Sequence, residues 1–202
     1  MSLNIANIIT ILRFPLLIGV GVLLYQETNA LRLAAVLLLI VLIFMDTLDG
    51  VVARRRHEET LLGSVLDIAT DRAVEIVLWV VYAHLRLIPI VIPLIVFIRG
   101  TLTDSIRSVA AQQGLSAHRM MDSSWGKWLV ASAPMRTGYS LVKFVAFVTL
   151  GLSLQSSNAA WLDTVYRVGL SAAWLATALC IVRGLPVLWE APGVLRAAPS
   201  RQ

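Results

Sequence analysis

The chain has little charge and almost no cysteine. Only 14% of its 202 residues are Asp, Glu, Lys or Arg, against about 25% in an average soluble domain. A single cysteine, Cys180, excludes an internal disulfide and is expected to pack as a small buried residue. The three histidines, His57, His84 and His118, are too scattered to make a zinc-type ligand spacing. No segment alternates polar and apolar residues as a half-buried strand does, and there is no internal repeat. The opening MSLNIANIITILR lacks the basic n-region and cleavage site of a secretory signal, so the apolar segments are expected to stay in the mature protein. What is abundant is apolar. Hydrophobic residues make up 58% of the chain and the mean hydropathy is +0.80, the composition of a membrane protein. The formal charge of +5 then fits cytoplasmic loops, not a nucleic-acid partner.

Six segments approach the roughly 20 residues that a spanning helix needs: 8–26, 30–54, 61–84, 87–112, 130–155 and 161–188. The expected fold is an all-α, polytopic bundle of six transmembrane helices. It forms one domain over residues 1–190, followed by a cytoplasmic tail over 191–202. A polar connection is expected over 113–129. Trp161 and Trp189, near expected helix ends, suit an interfacial belt or ordinary packing equally well. With the N-terminus inside, the interior loops and tail hold Arg54, Arg55, Arg56, Arg107, Arg119, Lys127, Arg196 and Arg201, and the exterior holds only Arg32 and Arg86. The asymmetry predicts both termini in the cytoplasm.

Two of these segments reach spanning length only by taking in charge. The uncharged run Leu33–Met45 is 13 residues long and Ile76–Leu85 is 10. The second helix must therefore include Asp46 and Asp49, and the third must include Glu75, Arg72, Asp71 and Asp67. A charge at the bilayer centre costs roughly 2.5–3.5 kcal/mol even on the lenient insertion scale, so such residues face the bundle interior or a wet cavity and mark a functional site. Asp46 and Asp49 are spaced i,i+3, and Asp67 and Asp71 i,i+4, so each pair shares a helix face. Gly50 and Ala53 lie on the side of the first pair and leave room for something to approach the backbone. On adjacent antiparallel helices the four carboxylates converge at one depth. Like charges so placed repel: either some are neutral or multivalent cations hold them together. An all-oxygen set suits Mg²⁺ or Mn²⁺, and two such ions would balance four carboxylates and clamp a phosphate or pyrophosphate. Arg54, just over two turns beyond Asp46, falls at the water-facing mouth, where it can meet an anionic ligand. Arg55 and Arg56 read as topology signals.

The complete spacing is Asp46-x2-Asp49-Gly50-x2-Ala53-Arg54-x8-Gly63-x3-Asp67-x3-Asp71. It resembles the signature of the CDP-alcohol phosphatidyltransferases at every fixed position, and the N-terminal NIITILR is similar to a segment at the start of several members. The resemblance implies an integral-membrane enzyme that displaces CMP from CDP-diacylglycerol with the hydroxyl of a polar alcohol. It implies that Asp46, Asp49, Asp67 and Asp71 hold two Mg²⁺ or Mn²⁺ ions and that Asp71 also acts as general base. Gly50, Ala53, Arg54 and Gly63 would border the cytidine and its phosphates. It further implies membrane lipids as surroundings, an active site facing the cytoplasm, and a homodimer.

For the acceptor, Arg99, Asp104 and Arg107 fall near one face of the fourth segment, and Lys127, Arg136 and Lys143 lie in or after the loop that follows. Arg99 sits at membrane depth in LIVFIRGTL, where a lone cation is costly. A basic pocket of Arg99, Arg107, Lys127, Arg136 and Lys143 would receive an acceptor that carries its own phosphate. The alternative is that Asp104 or a signature aspartate simply pairs with Arg99. Glycerol 3-phosphate is the leading acceptor, although Gly100 stands where glycerophosphate-using relatives commonly carry an acid. Inositol phosphate, serine or another polyol is the alternative. Two other classes fit less well. An intramembrane prenyltransferase would separate its acidic motifs in sequence, and a divalent-cation transporter would continue its carboxylates across the membrane.

Overall fold

The computed structural model describes residues 5–56, 61–112, 124–156 and 159–196. They form seven helices and no strand: α1 (Ile5–Leu24), α2 (Asn29–Arg56), α3 (Leu61–His84), α4 (Val91–Gln112), α5 (Ser124–Ala131), α6 (Ala133–Ser153) and α7 (Ala160–Arg196). Six of these correspond to the predicted segments. The seventh is the short α5, which takes up the end of the connection expected over 113–129. The break between α5 and α6 has a local cause. Ser132 accepts from the Met135 amide through its Oγ at 3.4 Å, as an N-cap does, and Pro134, in the first turn of α6, has no amide to continue the hydrogen-bond ladder from α5. The last helix is also longer than expected, running through Pro186 and Pro192 to Arg196, past the boundary placed at residue 190. Arg119 and Arg201, counted above for orientation, lie outside the described residues. Three helices are long and apolar enough to cross a membrane, over Asn7–Leu24, Asn29–Asp46 and Ala160–Pro192.

The chain forms two compact units, residues 1–89 with 146–170 and residues 90–145 with 171–202. In the first, α1 packs on α2 and α3. Its core contains Val20, Leu24, Val36, Leu39, Leu42, Leu78, Trp79 and Tyr82, with Phe147 and Leu150 from α6. Phe147 packs against Trp79 with ring centroids 4.5 Å apart, and its carbonyl accepts from the Tyr82 hydroxyl at 2.6 Å. Gly151 is required here, because a Cβ at that position would lie 2.9 Å from Val36 Cγ2 and 3.1 Å from Tyr82 Oη. The α3 C-terminus closes on Arg86, a non-glycine residue at φ 61°, while the Leu87 amide donates back to the Tyr82 carbonyl at 3.0 Å, the 6→1 bond of a Schellman turn. At the α1–α2 turn, Asn29 exchanges two hydrogen bonds with the Ser156 backbone. Arg32 donates to the carbonyls of Gln26 and Leu154, which ties this turn to the end of α6.

The second unit buries Ile92, Val96, Ala110, Val130, Tyr139, Ala173, Ala176, Cys180 and Val187. Cys180 is packed as expected. Around both units the outward residues are greasy. Ile18, Val22, Leu37, Val41, Phe44, Ile68, Leu94, Phe97, Ile98, Leu175 and Leu185 are all exposed, the composition that a lipid surround stabilises.

Candidate functional site

In the first unit a few polar groups are buried beside the apolar core, while many apolar side chains face outward. Asn7, Thr10 and Arg13 recur every third residue of α1 and are all buried, one polar stripe on an otherwise apolar helix. Arg13 is 2% exposed. Burying a guanidinium is costly unless its charge is paired and its hydrogens are bonded. The charge is paired and both terminal nitrogens donate, while Nε is buried without a hydrogen bond. Arg13 Nη1 donates to Asp46 Oδ1 at 2.9 Å and Nη2 donates to Asp71 Oδ1 at 2.9 Å. Asp67 Oδ1 lies 4.0 Å from Nη1. A planar guanidinium with several donors can join a carboxylate of α2 to one of α3 in this way. A lysine would offer a point charge.

The carboxylates themselves converge. Asp46, Asp67 and Asp71 each present an oxygen within 4.8 Å of the others. Their side chains are 40%, 51% and 50% exposed, so Arg13 covers the inner side of the cluster while the outer side meets solvent. One guanidinium balances one of three negative charges. The excess of charge and the hard oxygen donors fit a divalent cation such as Mg²⁺ or Mn²⁺. Helix register explains why the group forms. Asp67 and Asp71 are one turn apart on α3, and α1 packs on both α2 and α3, carrying Arg13 into the space between them. Asp49, Gly50, Ala53 and Arg54 are helical residues of α2, at the i+3, i+4, i+7 and i+8 positions from Asp46; their side chains lie outside the described residues. Gly63 sits one turn before Asp67 on α3.

Arg72 and Glu75, expected to enter the membrane with the aspartates, pair with each other. Arg72 Nη1 donates to Glu75 Oε2 at 3.2 Å, with the glutamate buried.

The predicted basic residues belong to the second unit. Arg99 and Arg107 lie on α4, Lys127 on α5, and Arg136 and Lys143 on α6. The alternative pairing of Arg99 with Asp104 or a signature aspartate is not seen: among the described residues Arg99 has no carboxylate partner, and its Nε is buried without a hydrogen bond. A Cβ at Gly184 would fall 2.8 Å from Arg99 Nε and 2.9 Å from its Cγ, so glycine lets α7 run against the arginine stem. Lys143 Nζ stands 4.5 Å from the Tyr139 ring centroid, and Arg183 Cζ stands 5.2 Å from the same ring, both within cation–π range. Arg183 Nε also donates to the Leu129 carbonyl at 3.3 Å.

Two residues escape the sequence reading. Arg13 was signalled by the Asn7-x2-Thr10-x2-Arg13 period inside an apolar helix. Arg183 was signalled by its place in ALCIVRGLPV, a cation at membrane depth much like Arg99.

No curated protein matches the chain. The CDP-alcohol phosphatidyltransferase family matches it over residues 3–182, a range that includes the polar stripe of α1 with Arg13 and the three converging aspartates, and that ends one residue before Arg183. The family is membrane-bound, in keeping with the three apolar helices. The chain belongs to the CDP-alcohol phosphatidyltransferase family, transferases that pass a substituted phosphate group from a CDP-alcohol to an alcohol acceptor.

Proposed function

We propose that this enzyme transfers the phosphatidyl group of CDP-diacylglycerol to glycerol 3-phosphate at the cytoplasmic face of the membrane, releasing CMP. The observation that carries the reading is the meeting of Asp46, Asp67 and Asp71 within 4.8 Å, at the spacing of the family signature. In this reading Asp46, Asp49, Asp67 and Asp71 hold two Mg²⁺ or Mn²⁺ ions, which when bound neutralise the pyrophosphate. Phosphoryl displacement needs this neutralisation and correct positioning more than covalent chemistry. Asp71 takes the proton of the acceptor hydroxyl as its oxygen attacks the phosphorus that carries the lipid. The bond from that phosphorus to the CMP oxygen breaks, and CMP leaves with Arg54 beside its phosphate. Gly50, Ala53 and Gly63 leave room for the nucleotide against the helix backbones. The lipid chains stay in the bilayer, which explains a polar site in so apolar a protein.

The acceptor is argued from the second unit. Arg99, Arg107, Lys127, Arg136, Lys143 and the unforeseen Arg183 make it rich in cations, and among the described residues the Arg99 head has no carboxylate to neutralise it. Such a surface recognises an acceptor with its own phosphate. Inositol phosphate meets the same description and is the second reading. Membranes given radiolabelled CDP-diacylglycerol and each alcohol in turn should yield phosphatidylglycerophosphate and CMP with glycerol 3-phosphate. A product with inositol phosphate alone would replace the acceptor, and absence of CMP with every alcohol would remove the reaction.

A further inference from the structure

We propose that Arg13 is a resident counter-ion of the aspartate cluster, holding Asp46 and Asp71 together before cations arrive and then competing with those cations for the same oxygens. The substrate-free site therefore takes divalent metal only weakly. The inference rests on the reading of these aspartates as metal ligands.

The argument begins with placement. The guanidinium nitrogens lie 2.9 Å from Asp46 Oδ1 and 2.9 Å from Asp71 Oδ1, inside the group of carboxylates that would surround a metal. A cation drawing on these side chains meets a fixed positive charge within the same few ångströms. Repulsion between a dication and a guanidinium scales with the product of their charges, twice that between two monovalent ions, and solvent screens it poorly because Arg13 is buried. Holding the carboxylates together works in the other direction: if that effect dominated, loss of Arg13 would let them splay and weaken metal binding. Packing argues against that outcome. Asp46 follows Leu39 and Leu42 on α2, and Asp71 precedes Val74 and Leu78 on α3, all four of them buried. The helices are held by these apolar contacts, and removing one guanidinium leaves them in place. Charge therefore outweighs assembly. As a positioning residue, Arg13 would keep the aspartates close without metal, and reserve tight metal binding for the moment when the substrate pyrophosphate brings its own negative charge.

The test measures Mn²⁺ binding to the full-length, detergent-solubilised protein without lipid substrate, by the electron paramagnetic resonance signal of free Mn²⁺. Near-ultraviolet circular dichroism of the tryptophans reports on folding. Relative to wild type, Arg13→Met and Arg13→Gln should bind Mn²⁺ about tenfold more tightly or better, because the competing charge is gone. Arg13→Lys keeps the charge with fewer donors, and its affinity should stay within about threefold of wild type, on the tighter side. Folded Met or Gln variants that bind Mn²⁺ no better than wild type overturn the inference. If only the lysine variant folds, affinity below wild type overturns it, since assembly would then outweigh charge. Wild-type protein that fails to bind Mn²⁺ even with CDP present removes the metal reading and this inference with it. A wild type that binds while the variants rank in the opposite order removes the inference alone.

Discussion

The two units solve the problem of charge in an apolar protein in opposite ways. In the first, negative charge predominates at the site and the cation is placed to meet it: Arg13 is buried, bonded to Asp46 and Asp71, and close to Asp67. In the second, positive charge predominates and no carboxylate among the described residues answers it at Arg99, while Arg183 and Lys143 turn to the π face of Tyr139. A paired charge costs little to bury but is committed to its partner. A charge left without an opposite one is expensive and is retained where an incoming ligand will supply it. In the proposed reading the first unit holds cations and the second receives an anion.

The comparison breaks most sharply at Asp71. Asp71→Asn should leave the protein inserted in the membrane but lower the rate of CMP release by roughly 10²–10⁴-fold, the range for loss of a general base. A variant with near wild-type turnover would take the chemistry out of the first unit. Asp49→Ala should lower turnover and raise the Mg²⁺ or Mn²⁺ concentration needed for half-maximal rate by about tenfold or more, the scale set by supporting residues of metal sites. An unchanged metal requirement would exclude Asp49 from the ligand set, and wild-type turnover in excess chelator would falsify the two-metal clamp. On the other side, Arg99→Ala should raise the KM for a phosphorylated acceptor about tenfold, as expected for one charge-assisted contact, with much less effect on the KM for the CDP-lipid. Equal effects on both would dissolve the division of labour between the units.

Two glycines sharpen the same contrast. Gly151→Ala forces a methyl group against Val36 and Tyr82 in the packed core, and should cost about 1–3 kcal/mol in thermal unfolding. Gly184→Ala meets only the stem of Arg99, a flexible chain that can shift, so it should alter acceptor KM more than stability. The smallest effect belongs to Arg86→Gly. Removing the side chain from a left-handed position should stabilise the end of α3 by up to about 1 kcal/mol, measured as a rise in Tm with activity unchanged.

Much of the fold was legible because a membrane helix writes itself as a long apolar run, and each of the six segments is present as a helix. What was not legible was local. The α5–α6 break depends on Ser132 turning its side chain to cap the next helix ahead of Pro134, and Ser and Pro also occur inside helices. The length of α7 was hidden because Pro186 and Pro192 usually mark ends, yet helices in apolar surroundings can carry proline when neighbouring groups re-satisfy the backbone. The convergence of Asp46, Asp67 and Asp71 was readable from i,i+3 and i,i+4 spacing. The pairing that Arg99 was given as an alternative was not excluded by spacing, since Asp104 is only five residues away.

The sequence by itself determined the class of protein, its helices and the helix face that Asp67 and Asp71 share, because hydrophobic length and helical period are properties of neighbours along the chain. Only the tertiary structure decided that Arg13, 33 residues from Asp46 and 58 from Asp71, is the cation that joins them. It alone decided that Arg99 finds no carboxylate and lies along Gly184. A long side chain can reach in many directions, and the packing of one helix on another selects the partner it finds.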